Sequence, residues 1–153
     1  MSFFPVLDRL FENAKNLDAD RVWVLAIDEE VKQEIIRLNT KDQLFDKGVD
    51  SLNRSLGVYS KTSVEKFGKR PGRIQLFDTG LFYASFSIRV DRGGITISAN
   101  TIKTGEDGTT DLAVRYGIDI LGLTPNSLDL LLRTFVVENY QEILLDELFK
   151  GIK

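Results

Sequence analysis

The sequence predicts an α+β fold: a small antiparallel β-sheet packed with N-terminal helices and a long C-terminal helix, plus an extended arm. Three observations carry this. Apolar residues recur at helical spacing near both ends of the chain. A central stretch alternates apolar and polar residues with period two. Between the first helices and that stretch lies a glycine-punctuated segment with no steady period. At 153 residues the chain reads as a single domain, 1–153, long enough to bury a core.

Residues 1–38 read as helical. Phe4, Leu7, Leu10, Phe11 and Ala14 form one stripe, with Pro5 tolerated in a first turn. Val24, Ile27, Val31, Ile35 and Leu38 form a second, although "RVWVLAI" is also compatible with a short strand. Residues 39–73 read as the extended arm, with at most a helical turn around Asp50–Leu56. A connection of that length is usually functional or ordered by a partner. Residues 74–123 read as the sheet. Phe82 to Val90 alternates cleanly, "DRGG" turns the chain, Ile95 to Ala99 returns, and Leu112, Val114 and Tyr116 start a third strand after a loop at "KTGEDGTTD". Residues 124–150 read as the closing helix, with Thr124 as N-cap and Pro125 at the first helical position. The stripes at Phe4–Ala14 and Leu128–Leu148 read as core, while "LLDELFKGIK" also suits packing on a neighbour.

Composition narrows the chemistry. There is no cysteine and no histidine, which removes disulfides, thiolate catalysis, Ser-His triads and most transition-metal sites. Catalysis would have to run on carboxylates, Lys, Tyr or Ser. A net charge of −3 offers no global attraction to nucleic acid or anionic lipid. "MSFFPVL" is too short and lacks the basic leader of a signal peptide, and no stretch approaches 18 apolar residues, so no membrane-spanning helix is expected.

"RIQLFDTGLFYASFSIRV" (Arg73–Val90) raises the sharpest functional question, because Asp-Thr-Gly after two apolar residues is how an aspartic-protease active-site turn reads. Such an enzyme needs two aspartates sharing a proton, so this chain would have to dimerise around Asp78. "DILGL" (Asp119–Leu123) resembles the turn that packs beneath that loop in the family. Against it, the family places a small residue after the glycine, where this chain has Leu81, Phe82 and Tyr83, and the protease half is almost entirely β. The plainer reading is that Asp78 and Thr79 turn the chain before a strand, with Gly80 supplying an unusual backbone angle. "SLGVYSKTS" lacks the glycine spacing of a phosphate loop, and "GEDGTTD" lacks the alternating acids of a calcium loop and reads as a solvated hairpin tip.

The segment "DTGLFYASFSI" entering a sheet, with "YGIDILGLT" leading to a last helix, resembles the tail-completion and virion-morphogenesis proteins of tailed bacteriophages, the neck or head–tail connector proteins. Thr79, Gly80, Leu81 and Ser85 loosely fit their Thr/Ser-Gly-Leu-x-x-Ser pattern, and the resemblance runs from about Asn39 to the C-terminus. It implies a structural virion protein without catalysis or cofactor, made in the host cytoplasm, that forms a homo-oligomeric ring between the capsid portal and the tail. Portal, adaptor or tail proteins would be its partners, with transient contact to packaged DNA through the arm. No membrane and no small-molecule substrate are expected. Leu44, Phe45, Tyr59, Phe67, Tyr83, Leu148 and Phe149 are the expected subunit contacts. Lys61, Lys66, Lys69, Arg70 and Arg73 would face DNA if the arm meets it, but docking on another protein is the preferred reading of this basic segment because the chain as a whole is acidic. The alternatives are a dimeric retropepsin-like protease using Asp78, or an accessory binding domain of a bacterial complex.

Overall fold

In the first third of the chain, aspartates set where helices begin. A computed structural model describes residues 4–105 and 108–152. Helix α1 (Pro5–Lys15) starts on its proline. In α2 (Ala19–Ala26) the Asp18 carboxylate accepts the Arg21 N–H at 3.0 Å, and in α3 (Glu29–Arg37) Asp28 accepts the Val31 N–H at 2.9 Å. The second helical stripe is therefore two helices, because Ile27 leaves helical angles and Asp28 restarts the ladder. "RVWVLAI" is helical: burying Val22 and Ala26 on one face outweighs its strand propensity.

The boundary expected at residue 38 does not exist. The helix continues as a π-helical segment over Leu38–Lys47, and Asn39, Thr40, Gln43 and Leu44 are buried. It stops at Gly48, which is left-handed at φ 64°. The chain then folds back on itself. Leu56 N–H donates to Gly48 C=O at 2.9 Å, Tyr59 N–H to Gly72 C=O at 2.9 Å, and Ile74 N–H to Gly57 C=O at 2.9 Å. Helix α4 (Lys61–Phe67), capped by Ser60, forms the tip of the excursion. The expectation of an extended arm ordered by a partner is thus corrected: residues 39–73 are half helix and half a backbone-bonded loop. What the sequence pattern hid was the polar burial of Asn39 and Gln43, which breaks the apolar stripe without breaking the helix.

The central region is also less β than its alternation suggests. After Gly80 (φ 82°) the chain makes a helical turn, α5 (Leu81–Ala84), and only Ser87–Asp91 is strand (β1). Phe82 and Phe86 meet edge-on at 5.2 Å, an i,i+4 contact that needs the turn. Strand β1 pairs with β2 (Gly94–Ser98), Asp91 opposite Gly94, so "DRGG" is the tight turn expected. The "KTGEDGTTD" segment carries a second hairpin, β3 (Ile102–Gly105) with β4 (Gly108–Asp111), in line with its reading as a hairpin tip. Glu106 and Asp107 lie outside the described residues. The expected third strand is helix α6 (Leu112–Tyr116), because Asp111 accepts the Ala113 N–H at 2.9 Å and caps it. The β-structure is therefore two separate hairpins rather than one sheet.

The closing helix forms as expected, from the Thr124 cap through α7 (Pro125–Leu131), a π-helical turn (Leu132–Val136) and α8 (Val137–Leu148). Two apolar clusters result. One gathers Ala26, Ile27, Val31, Ile35, Leu38, Leu131 and Val136 beneath the β1–β2 hairpin. The other gathers Leu44, Phe86, Leu112 and Ile120. Each fully buried Leu or Ile contributes about 1.5–3 kcal/mol. Contrary to the sequence expectation, Ile118–Leu148 holds an 18-residue window of mean hydropathy 1.3, long and apolar enough by composition to cross a membrane. Its helix begins only at Pro125. Ile120 lies in one cluster and Leu131 and Val136 in the other, but only 28% of the window is buried, and Leu128, Leu130, Val137 and Leu145 are exposed.

Candidate functional site

The expected contact residues do not form one surface. Leu44 is wholly buried, on the inner face of the π-helical segment, and its assignment to a subunit contact is corrected. Phe45 and Tyr83 are half-buried and both meet the Phe77 ring edge-on, at 5.5 Å each. The Tyr83 hydroxyl donates to the Gln75 carbonyl, and burial pushes its pKa up. Tyr59 is half-buried and its hydroxyl accepts the Gln75 N–H at 3.3 Å. Leu148 is half-buried where Asn13 of α1 donates to its carbonyl at 2.7 Å. Only Phe67 (55% exposed) and Phe149 (52%) present most of their surface outward.

The five basic residues divide in two. Lys69 and Arg73 are structural: Lys69 Nζ reaches Asp78 Oδ1 at 2.8 Å and lies over the Tyr59 ring, and Arg73 donates to the Asp46 carbonyl at 2.5 Å. Lys61, Lys66 and Arg70 are exposed and make no ion pair among the described residues. Lys61 also lines a shallow groove of about 450 Å³ with Val58, Tyr59, Val64 and Pro71, whose one acid is Glu65.

Asp78 is held between two lysines, Lys69 on the excursion and Lys103 on β3. Their hydrogen bonds, Lys103 first, bring its pKa down to about 2. A proton-sharing dyad would need a second carboxyl beside Asp78, from another copy of the chain; within one chain its neighbours are the two lysines. In this geometry Asp78 ties the "DTG" turn to the segments on either side of it. Because its folded pKa is depressed, the stability it adds is complete above its ordinary pKa of 3.8 and is lost as pH falls through about 2. Asp78→Asn is therefore expected to lower stability at pH 7 by about 1 kcal/mol, since the side chain is partly solvated, and to cost nothing below pH 2. Thermal unfolding of both proteins at the two pH values, followed by circular dichroism, measures this; an equal gap at both would remove the ion pairs as the cause.

The larger apolar surface lies where core was expected. No residue of α1 is buried, and Leu7 and Phe11 are 48% and 65% exposed, so the α1 stripe faces outward while Asn13 anchors the helix to the end of α8. Its periodicity was legible as amphipathic; nothing in the sequence says which face is covered. Leu81, Val114 and Ile118 add further exposure, at 73%, 84% and 65%. Helix α8 is two-faced in another way. Its outward side presents Val137, Leu145 and Phe149 at i,i+4 multiples beside Glu138, Glu142 and Asp146, all exposed.

Compared with protein-family models, with curated proteins and with solved structures, the chain matches none. Function is therefore argued from this surface.

Proposed function

We propose that this chain is a non-enzymatic structural protein of a tailed-phage virion, a homo-oligomeric ring component of the neck joining the capsid portal to the tail. The observation that carries this reading is surface area. The chain exposes 10387 Å² for a mass of 17.3 kDa. A compact monomer of that mass exposes about 7,800 Å². The excess, about 2,600 Å², exceeds the roughly 1,600 Å² that a protomer buries when it gives about 800 Å² to each of two neighbours. The exposed surface includes large apolar side chains such as Phe11, Leu81 and Val114. A subunit meant to stay alone has no use for that surface, whereas a ring subunit covers it on both sides.

The resemblance of the Asp78–Ile88 segment to neck proteins supplies the setting: synthesis in the host cytoplasm, assembly into the virion, and portal, adaptor or tail proteins above and below. Lys61, Lys66 and Arg70 are the residues left to meet packaged DNA or a neighbouring subunit. Light scattering of the purified chain, alone and with portal or tail protein, is expected to give a defined high-mass species, and negative-stain images to show rings. A chain that stays monomeric in every mixture would overturn the reading.

A further inference from the structure

Two exposed regions of the protomer, both partly apolar, carry opposite charge. On α8, each outward turn sets an acid beside an apolar or neutral residue: Val137 with Glu138, Gln141 with Glu142, Leu145 with Asp146. These three acids form no ion pair among the described residues; the nearby Glu147 is the one neutralised, by Arg21 and Lys150, each at 3.9 Å. On the excursion, the exposed apolar residues Val58 (73%) and Phe67 (55%) sit among Lys61, Lys66 and Arg70, equally without ion pairs. Glu65 is the single acid there, and Lys69 and Arg73 are already engaged by Asp78 and the Asp46 carbonyl.

The faces belong to different parts of the fold. Helix α8 packs on α2 and the first apolar cluster, while the excursion is fixed through Lys69 to Asp78, beside the aromatic residues of the second. We infer that the acidic-apolar face of α8 on one copy docks on the basic-apolar excursion of the next, a head-to-tail contact between copies of this chain. The inference rests on the ring reading and says which faces make the ring. Contact between two different patches leaves one free patch at each end of any open assembly, so it propagates until rotation closes it. Opposite charge flanking an apolar centre also fixes register and disfavours the like-with-like contact of a two-fold dimer.

Charge reversal tests it. The variants are Glu142→Lys/Asp146→Lys on α8 and Lys66→Glu/Arg70→Glu on the excursion; all four residues are exposed, and circular dichroism verifies that each variant folds. Each variant alone is expected to lose the high-mass species, raising the concentration needed for assembly at least about tenfold, the loss of one close charge pair. An equimolar mixture is expected to recover it, because the reversed face of each then meets the reversed face of the other. If both variants assemble like the parent, the faces are wrong while the ring reading stands. If the parent itself never assembles, with or without portal or tail protein, both fall. If the mixture fails to recover assembly, the contact assigned here is wrong. If the excursion variant assembles normally but loses retention on duplex DNA, the basic face belongs to nucleic acid and the inference is overturned.

Discussion

Asn39→Leu is expected to destabilise the chain by about 3–4 kcal/mol. The Asn39 amide is fully buried and makes two bonds to a distant stretch of backbone: Nδ2 donates to the Ile120 carbonyl at 3.0 Å, and Oδ1 accepts the Gly122 N–H at 2.9 Å. Four residues on, Gln43 repeats the pattern, donating to the Gly122 carbonyl at 2.8 Å and accepting the Thr124 N–H at 2.8 Å. Two amides four residues apart thus hold residues 120, 122 and 124, the segment that leads from the 3-10 turn Ile118–Ile120 to the Thr124 cap. Leucine keeps the branching at Cγ but leaves the buried Ile120 carbonyl and the partly buried Gly122 N–H without partners, each costing about 1–3 kcal/mol. Gln43→Leu is expected to cost a similar amount. The double variant should fall short of the sum by about 1 kcal/mol, since both amides hold Gly122 and releasing it once lets water reach both sites. Urea unfolding with unchanged m-values measures all three. A cost below about 1 kcal/mol for either single variant would mean that the amides are not what fixes residues 120–124.

Gly48→Ala is expected to cost about 2–4 kcal/mol. Gly48 ends the π-helical segment at φ 64°, where any other residue is strained by about 1–2 kcal/mol. A Cβ there would also stand 2.9 Å from the Ile74 carbonyl oxygen and 3.1 Å from Arg73 Cδ. The carbonyl is backbone and gives way only if the excursion shifts, which adds an overpacking cost of about 1–3 kcal/mol. Gly68→Ala is the control. It shares the left-handed angle, at φ 61°, but a Cβ meets nothing within 4 Å. It should therefore cost only the conformational part, and the difference between the two midpoints isolates the close approach of the excursion to the helix end. Equal costs would show that the approach is looser than 2.9 Å implies.

The site was partly legible and partly not, for reasons tied to particular residues. "DRGG" as a tight turn and the Thr124-Pro125 start follow from local chemistry, and both are present. The assignment of Leu44 to a surface failed because residues 39–73 read as an arm, when the helix runs on through Asn39 and Gln43, both buried and hydrogen-bonded. The α1 stripe failed in the opposite direction: its apolar residues read as core and face outward. Period-two alternation at Phe82–Val90 was overridden where Phe82, Tyr83 and Phe86 pack as a tilted and edge-on aromatic group that a straight strand would separate onto opposite faces.

What the sequence determined by itself is the class and the vocabulary. Helical spacing at both ends with hairpin chemistry between makes an α+β chain, capping residues place most helix starts, and the absence of cysteine and histidine removes whole classes of catalysis. These follow from interactions within a few residues, so they can be read in order along the chain. Which faces are covered was decided only by tertiary structure. Asn39 and Gln43 become interior because Ile120–Thr124 comes to lie against them from about eighty positions away, Asp78 becomes a joint because Lys69 and Lys103 converge on it, and α1 and α8 keep faces that this chain does not cover. Burial depends on what arrives opposite a residue, and that partner is not written beside it.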